Sequence, residues 1–511
     1  MKEHVVLVFD VGTQSTRALL VTSTGKLLAN CKKKYDKPYI SLECDYAEQD
    51  ADFYFDAMLA VAKECKRKYA RDWKKIEAVT LTTFRDTIVC VDKNGHPLRK
   101  AILWLDKRLA HGKPKFTIFV DALLRAIGMK ETVNLQFKKS HCNWIMQNEK
   151  MIWQKTHKLL LISGYLVFKL TGKFADSDAS LVGHIPFDNK KRNWQTKFGL
   201  TYPVFPIPKE KLCEVVSAGD TFGFIKKEIC KKFSLPENIL LYAAGSDKAC
   251  EVVGLGCIEE ESAAISLGTA ATINYLSHSY REPEHFIPPW PSVVKGAWNP
   301  ELQIYRGYWL VSWFTKEFAE ADEKRAKQKK CSVEELLDRE IEKIEAGSGQ
   351  LIFLPYFTPN VTQPESRGAW IGLTDEHRRA HLYRSVIEGI NFALIDGMRT
   401  MEARRKKKFT SIALGGGGSQ SDIVCQITAD MFGLPVHRTQ SFEAAGFGAA
   451  MTVFVGMNVF ASWKEARDSM IKNEKPFLPN PANAARYRAL YENIFRKAYA
   501  SVYPLYKRMS N

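Results

Sequence analysis

Leu7-Val8-Phe9-Asp10-Val11-Gly12-Thr13-Gln14-Ser15-Thr16 runs straight into Arg17-Ala18-Leu19-Leu20-Val21: an apolar strand, a polar turn and a second apolar strand. The same device returns as Ala264-Ile265-Ser266-Leu267-Gly268-Thr269-Ala270-Ala271-Thr272, leading into Ile273-Asn274-Tyr275-Leu276. In both copies a Gly-Thr-x-x-Thr string joins the strands, and Gly12 and Gly268 lie half the chain apart. Two related domains, each opening on a β-hairpin, produce this repeat. The turn suits phosphate. Glycine lets the backbone approach a ligand closely, successive N–H groups in a tight turn form an anion-binding concavity, and Thr or Ser hydroxyls add donors. For one copy alone a plain hairpin turn is the simpler reading; two copies at matched places favour phosphate.

Around the hairpins, strands and helices alternate. Asp50 is placed to cap a helix from Ala51 to about Tyr69, in which Phe55, Met58, Leu59 and Ala62 recur at helical spacing. Strands are expected at Ile76 to Leu81 and Thr87 to Val91, closed by the Asn94-Gly95 turn signal. In the second half a long helix is expected from His377 to Met401. A strand from Ser411 to Leu414, a four-glycine turn and a helix from Ser421 to Met431 follow. The pattern is α/β throughout. A chain of 511 residues exceeds one core, and the division expected is 1–250 and 251–511.

Composition sets the outer limits. With 45% hydrophobic and 26% charged residues the chain has the make-up of a soluble globular protein. The best apolar run, Leu159 to Phe168, falls well short of the roughly 20 residues of a membrane span and is expected to be a buried element. The first residues enter a strand without a signal-peptide layout. The 11 cysteines form no Cys-x-x-Cys pair or metal-ligand cluster. Scattered single thiols fit a reducing compartment, so the location expected is cytoplasmic, and the acceptor-like string Asn360-Val361-Thr362 is read as chance. The net charge of +17 is spread over runs such as Lys190 to Arg192 and Arg404 to Lys408. These are read as solvated surface, because no nucleic-acid module accompanies them. No Gly-x4-Gly-Lys-[Ser/Thr] string is present, which excludes a P-loop nucleotidase.

Five ordered segments resemble the FGGY carbohydrate kinases of the actin-like ATPase superfamily, over nearly the whole chain. Asp10 to Arg17 resembles the family's first phosphate loop, and Trp104-Leu105-Asp106-Lys107-Arg108 its Trp-x-Asp-x-Arg segment. Leu170-Thr171-Gly172 with Asp176 to Ser180 resembles its middle region. Gly368 to Leu373, spaced before His381 to Glu388, resembles its carboxy-half signature, and Gly416 to Ser421 its adenosine loop. The resemblance implies two actin-like (ribonuclease H-like) domains, each a mixed five-stranded sheet flanked by helices, with an active-site cleft between them. The activity implied is ATP-dependent phosphorylation of a hydroxyl on a small sugar or polyol, such as the pentuloses xylulose or ribulose. Glycerol kinase is the near alternative, and an actin-like ATP-binding regulatory protein the alternative of another class. The sequence carries no oligomeric signal; the resemblance implies a homodimer, since many relatives are dimers. No membrane or nucleic-acid partner is expected.

The resemblance also assigns roles. Asp10 would hold Mg²⁺ through water; Thr13, Gln14, Ser15 and Arg17 would contact the ATP phosphates; Gly268 and Thr269 would cradle phosphate from the second domain. Gly417 and Ser421 would face the adenosine. Asp247, in Ala244-Gly245-Ser246-Asp247, would be the base that takes the hydroxyl proton, and would also touch substrate. Taken alone, an aspartate after a strand reads as a helix cap. Arg85 and Asp86 resemble the Arg-Glu polyol clamp of glycerol kinases, with a structural salt bridge as the competing reading; Trp104 is read as sugar-packing, with simple core as the alternative. Some positions depart from the pattern. Gln136 falls where glycerol kinases have Tyr, His141 replaces a lysine, and Lys248 stands where Gln or Asn follows the catalytic Asp. The Met-His of xylulose kinases is absent at Arg85-Asp86.

Overall fold

The computed structural model describes residues 2–199, 202–285, 287–358 and 365–509; the Asn360-Val361-Thr362 string lies outside them. The chain forms two compact units. The first joins Met1–Gly254 with two later segments, Trp290–Trp298 and Glu443–Ile471; the second comprises Leu255–Pro289, Asn299–Phe442 and Lys472–Asn511. A single cut near residue 250 therefore does not describe the packing, because two stretches of the second half return to the first unit.

In the first unit a six-stranded sheet is built from β1 (Val5–Val11), β2 (Ser15–Thr22), β3 (Leu27–Lys34), β4 (Ile76–Thr83), β5 (Thr221–Phe224) and β6 (Leu240–Ser246), in the order β5-β6-β4-β1-β2-β3. Strands β1, β2 and β3 form an antiparallel meander, while β4 lies parallel to both β1 and β6. Every residue of β1 is buried, as expected for a strand covered on both faces, which is why it reads as an unbroken apolar run. The helix Ala51–Lys68 buries Tyr54, Met58 and Val61 in this core and is capped by the Asp50 side chain, as expected. A separate four-stranded sheet joins Glu48–Gln49, Ala101–Ile102, Ile88–Val91 and Lys158–Leu161. The apolar run at Leu159 divides between the last of these strands and the buried helix Ile162–Thr171.

The second unit repeats the plan. Strands β7 (Ser262–Leu267), β8 (Ala271–Asn274), β9 (Glu301–Ile304), β10 (Ser411–Gly415) and β11 (Val436–His437) lie in the order β9-β8-β7-β10-β11. Again a meander is followed by two parallel additions. The expected five-stranded mixed sheet is thus the shared core of both units. The first unit adds β5 as a sixth, antiparallel edge strand. The long helix Arg379–Arg405 lies in this unit's core through Ile387, Ile390 and Leu394. Within it Glu388 accepts from Arg384 (2.8 Å), Ser348 Oγ (2.8 Å) and Tyr487 Oη (2.6 Å). The end of the carboxy-half signature, at Glu388, is therefore a buried anchor for this helix.

Lys190, Lys191 and Lys406 to Lys408 are exposed, as expected of solvated surface, but Arg192 and Arg405 are not. Arg405 is buried and lies over the rings of Phe409 (4.3 Å) and Tyr275 (5.0 Å). Arg192 pairs with Asp178 at 2.8 Å and donates to the Ser292 carbonyl at 2.5 Å. Aromatic faces and an internal carboxylate take up charge that the composition leaves looking free.

Candidate active site

The first hairpin turn closes when the Gly12 amide donates to the Ser15 carbonyl at 2.9 Å. Strand pairing sets Asp10 opposite Arg17, and Arg17 Nη1 donates to Asp10 Oδ2 at 2.9 Å. On its other side Arg17 reaches Glu443 at 3.1 Å. Arg17 thus stands as an ion-pair bridge between two carboxylates. Burial, helped by the like charges of Glu443 and Asp247 and opposed by Arg17, pushes the Asp10 carboxyl up to about 6. Ser15 is buried, while Gln14 is exposed and fixes the strand through its carbonyl, which accepts from the Tyr35 amide at 3.0 Å. Thr13 Oγ1 accepts from the indole of Trp104 at 3.0 Å.

Glu443 was not a candidate from sequence. It sits at the start of the helix Ala444–Gly456, which returns to this unit from the far end of the chain. A Cβ at Gly448 would lie 1.8 Å from the Cys250 carbonyl, and one at Gly254 1.8 Å from that of Ala444. The helices Asp247–Gly254 and Ala444–Gly456 therefore touch backbone to backbone, and bare glycine is required at both positions. The small-residue string Ala444-Ala445-Gly446-Phe447-Gly448 was the available signal for this contact.

Asp247 begins its helix at the end of β6, half-buried. Its Oδ1 accepts from the Lys248 amide at 2.7 Å, and the Ser246 hydroxyl accepts from the Ala249 amide at 3.4 Å. Ser246 thus shares the capping role that would otherwise explain Asp247. Burial raises the Asp247 pKa, while Arg85 and Lys248 oppose that shift. Lys248 is held by Glu251 at 2.7 Å.

Asp86 has a partner from a distant part of the chain. Asp86 adopts a left-handed backbone (φ 51°), and both its oxygens are engaged by His184: Oδ1 accepts from the amide at 3.0 Å, and Oδ2 lies 2.6 Å from Nδ1. Burial alone would raise the Asp86 pKa, but His184 holds it down to about 2. His184, another residue sequence reading missed, arrives on a loop a hundred positions away. The Trp104 amide donates to Thr87 Oγ1 at 3.3 Å, and the segment that follows is anchored at Arg108. Arg108, buried, pairs with Asp106 and Glu48 at 2.7 Å each and lies between the Tyr46 ring (3.7 Å) and the Trp144 ring (4.6 Å). The Trp-x-Asp-x-Arg segment is thus a buried clamp whose first residue reaches the phosphate turn. His141 is buried, with Nε2 3.4 Å from the Asp106 carbonyl.

In the second unit the glycine loop crosses the end of β7. A Cβ at Gly416 (φ +82°) would fall 2.6 Å from the Leu267 carbonyl carbon. This brings Gly268 and Thr269 into the same region as Gly417, where an added Cβ would meet no atom within 4 Å. Ser421 caps the helix Asp422–Phe432 by accepting from the Val424 amide at 3.3 Å. Tyr308 and Trp309 donate their amides to the Gly268 and Thr269 carbonyls at 2.9 and 3.3 Å.

The carboxylates suit a hard cation. Asp10 feels the charges of Asp247 and Glu443, a repulsion that Mg²⁺ beside it would relieve. Among the described residues no group of three His, Cys, Asp or Glu side chains could hold a metal alone.

The chain is 28% identical to a xylulose kinase of Lactococcus lactis over 97% of its own length and 96% of the relative's. Its fold matches two solved structures from Lactobacillus acidophilus, a gluconate kinase and a ligand-bound xylulose kinase. Both give a TM-score of 0.84 at 22% identity, covering 99% of this chain and 100% of theirs. Equal likeness to enzymes named for two different substrates establishes the fold and leaves the substrate to the site. The N-terminal domain profile of the FGGY carbohydrate kinases fits residues 5–254 and the C-terminal profile residues 263–457. Matched in order across both halves, the chain belongs to the FGGY family of carbohydrate kinases.

Proposed function

We propose that this sugar kinase uses Asp247 as the base that accepts the proton of the attacking sugar hydroxyl. The observation that carries the reading is its setting: a carboxylate with a raised pKa at the end of a central strand, within the fields of Arg85, Lys248 and Asp10. A base must sit near the hydroxyl it serves and hold its proton only briefly, and burial tunes a carboxylate toward that task. As the hydroxyl oxygen bonds to the γ-phosphorus, the bond from that phosphorus to the bridging oxygen of ADP breaks. The hydroxyl proton passes to Asp247.

The remaining residues would position and neutralise. Thr13 and Ser15, with the amides of their turn, would bind the β- and γ-phosphates. Arg17, anchored by Asp10 and Glu443, would add positive charge there. Asp10 would hold Mg²⁺ mainly through water, and the ion would supply charge neutralisation on the phosphates. In the second unit Gly268 and Thr269 would bind phosphate, while Gly417 and Ser421 would face the adenosine. Trp104, tied to Thr13, would lie against the sugar. The location consistent with eleven free thiols is the reducing cytoplasm.

The name of the Lactococcus relative makes a pentulose such as xylulose or ribulose the first substrate to test. Glycerol is less well supported, because His184 occupies the carboxylate that a glycerol clamp would use. Purified protein with Mg-ATP should release ADP in the presence of one or more of D-xylulose, D-ribulose, glycerol, other polyols and sugar acids. Protein that binds ATP yet turns over none of them would overturn the reading in favour of a regulatory nucleotide-binding protein.

A further inference from the structure

Arg17 is tied to two carboxylates in two different ways. Its Nη1 donates to Asp10 Oδ2 at 2.9 Å, a hydrogen bond across one rung of the hairpin. Its Nε lies 3.1 Å from Glu443 Oε2, yet that N–H is buried and has no hydrogen-bond acceptor among the described residues. The second tie is thus an ion pair whose hydrogen bond has not formed, and a buried donor left unpaired is unfavourable. Glu443 is held for this neighbour. It stands at the N-cap position of the helix Ala444–Gly456, but its side chain does not cap that helix. Instead Oε1 accepts from Asn30 Nδ2 on β3 at 3.0 Å, which leaves Oε2 beside Arg17. The backbone fixes the pairing. Arg17 and Leu19 point to the same face of β2, and a Cβ on Gly446 would lie 2.1 Å from Leu19 Cδ1. The first turn of the helix is therefore pressed onto that face.

Asp10 has two claimants. It binds Arg17 here, and it is also the carboxylate assigned to Mg²⁺. A hydrated cation beside Asp10 repels a guanidinium bonded to the same group, so one weakens the hold of the other. The guanidinium is a rigid planar fork. Turning it to seat Nε–H on Glu443 carries Nη1 away from Asp10. We propose that Glu443 is a positioning residue for phosphoryl transfer. When Mg-ATP occupies Asp10, Arg17 exchanges its hydrogen bond to Asp10 for one from Nε to Glu443, and both Nη groups turn to the γ-phosphoryl group. A fork of two N–H donors matches two phosphoryl oxygens. No covalent bond changes in the exchange, and Glu443 touches neither ATP nor sugar. The proposal rests on the kinase reading of the same site and adds how Arg17 reaches phosphate.

The test is calorimetric and needs no sugar. It compares binding of Mg-ADP with binding of Mg-adenylyl-imidodiphosphate, a non-hydrolysable ATP analogue, to the parent, Glu443→Gln, Arg17→Gln and the double variant. Glu443→Gln should weaken the analogue tenfold or more and ADP less than threefold, because only the analogue carries a γ-phosphoryl group. On the Arg17→Gln background the same change should alter the Kd of the analogue less than threefold, since Glu443 acts through Arg17. Asn30→Ala, at an exposed position, should give the same selective loss to a smaller degree, and it serves if Glu443→Gln does not fold. Equal weakening of both nucleotides overturns the proposal, as does no weakening in protein that melts like the parent, or a tenfold loss that persists without Arg17. Glu443 would then be a strut between helix and strand. With a sugar that the parent phosphorylates, Glu443→Gln should lower kcat tenfold or more and change the KM for that sugar less than threefold. Selective loss of the analogue in protein whose parent turns over no sugar would uphold the Arg17 exchange and overturn the kinase reading alone.

Discussion

Asp10 pairs with Arg17 across one rung of a hairpin, yet its carboxyl is pushed up to about 6 because burial and two neighbouring carboxylates outweigh one guanidinium. A protonated Asp10 could not hold a cation, so kcat/KM should fall about tenfold per pH unit below pH 6, as a pH-rate profile would record. Stability carries the opposite sign. The folded pKa lies above the ordinary value of 3.8. The favourable contribution is thus full below about pH 4 and lost as pH rises through 6. Asp10→Asn should therefore make the nucleotide-free protein more stable at pH 8, by on the order of 2 kcal/mol, with no gain at pH 4, while abolishing transfer. Equal stability of the two proteins at pH 8 in urea unfolding would contradict this. At this scale Asp10 and Asp247 stood out as candidates because each sits in a local string at a strand end. Glu443 and His184 did not, since their meaning comes from partners brought near only by the fold.

Among the elements, the hairpin was the most legible. Its apolar runs, its Gly-Thr turn and its repetition predicted strands that the structure places at the centre of each unit. Asp50 and the helix it caps were equally readable from spacing. The helix pair Asp247–Gly254 and Ala444–Gly456 was hidden, because small residues signal a close approach without naming the partner. That contact sets where Asp247 and Glu443 stand. Gly448→Ala would drive a methyl group into the Cys250 carbonyl, forcing the helices apart at a cost of about 1–3 kcal/mol. It should also lower kcat while changing the KM for ATP little. Unchanged urea unfolding and unchanged kcat would show that the contact tolerates the group.

For the whole molecule, the duplication was visible as two strings half a chain apart, whereas the returning segments Trp290–Trp298 and Glu443–Ile471 were not. Nothing in their composition marks them as belonging to the first unit. Of the charge of +17, runs such as Lys406 to Lys408 are solvated surface as expected, while Arg405, Arg192 and Arg108 are spent inside the fold. The protein should accordingly not be retained on DNA or RNA at 0.15 M salt; retention there with a steep salt dependence would indicate a phosphate-binding face instead. No helix among the described residues is long and apolar enough to cross a membrane.

The central claim, that Asp247 takes the proton in phosphoryl transfer, is tested most directly by Asp247→Ala. With the best sugar from the panel, the parent should form ADP and a phosphate ester in equal amounts. The variant should bind Mg-ATP with similar affinity and lose at least a hundredfold in kcat. A variant that keeps sugar-dependent ADP release within a few-fold of the parent would contradict the account.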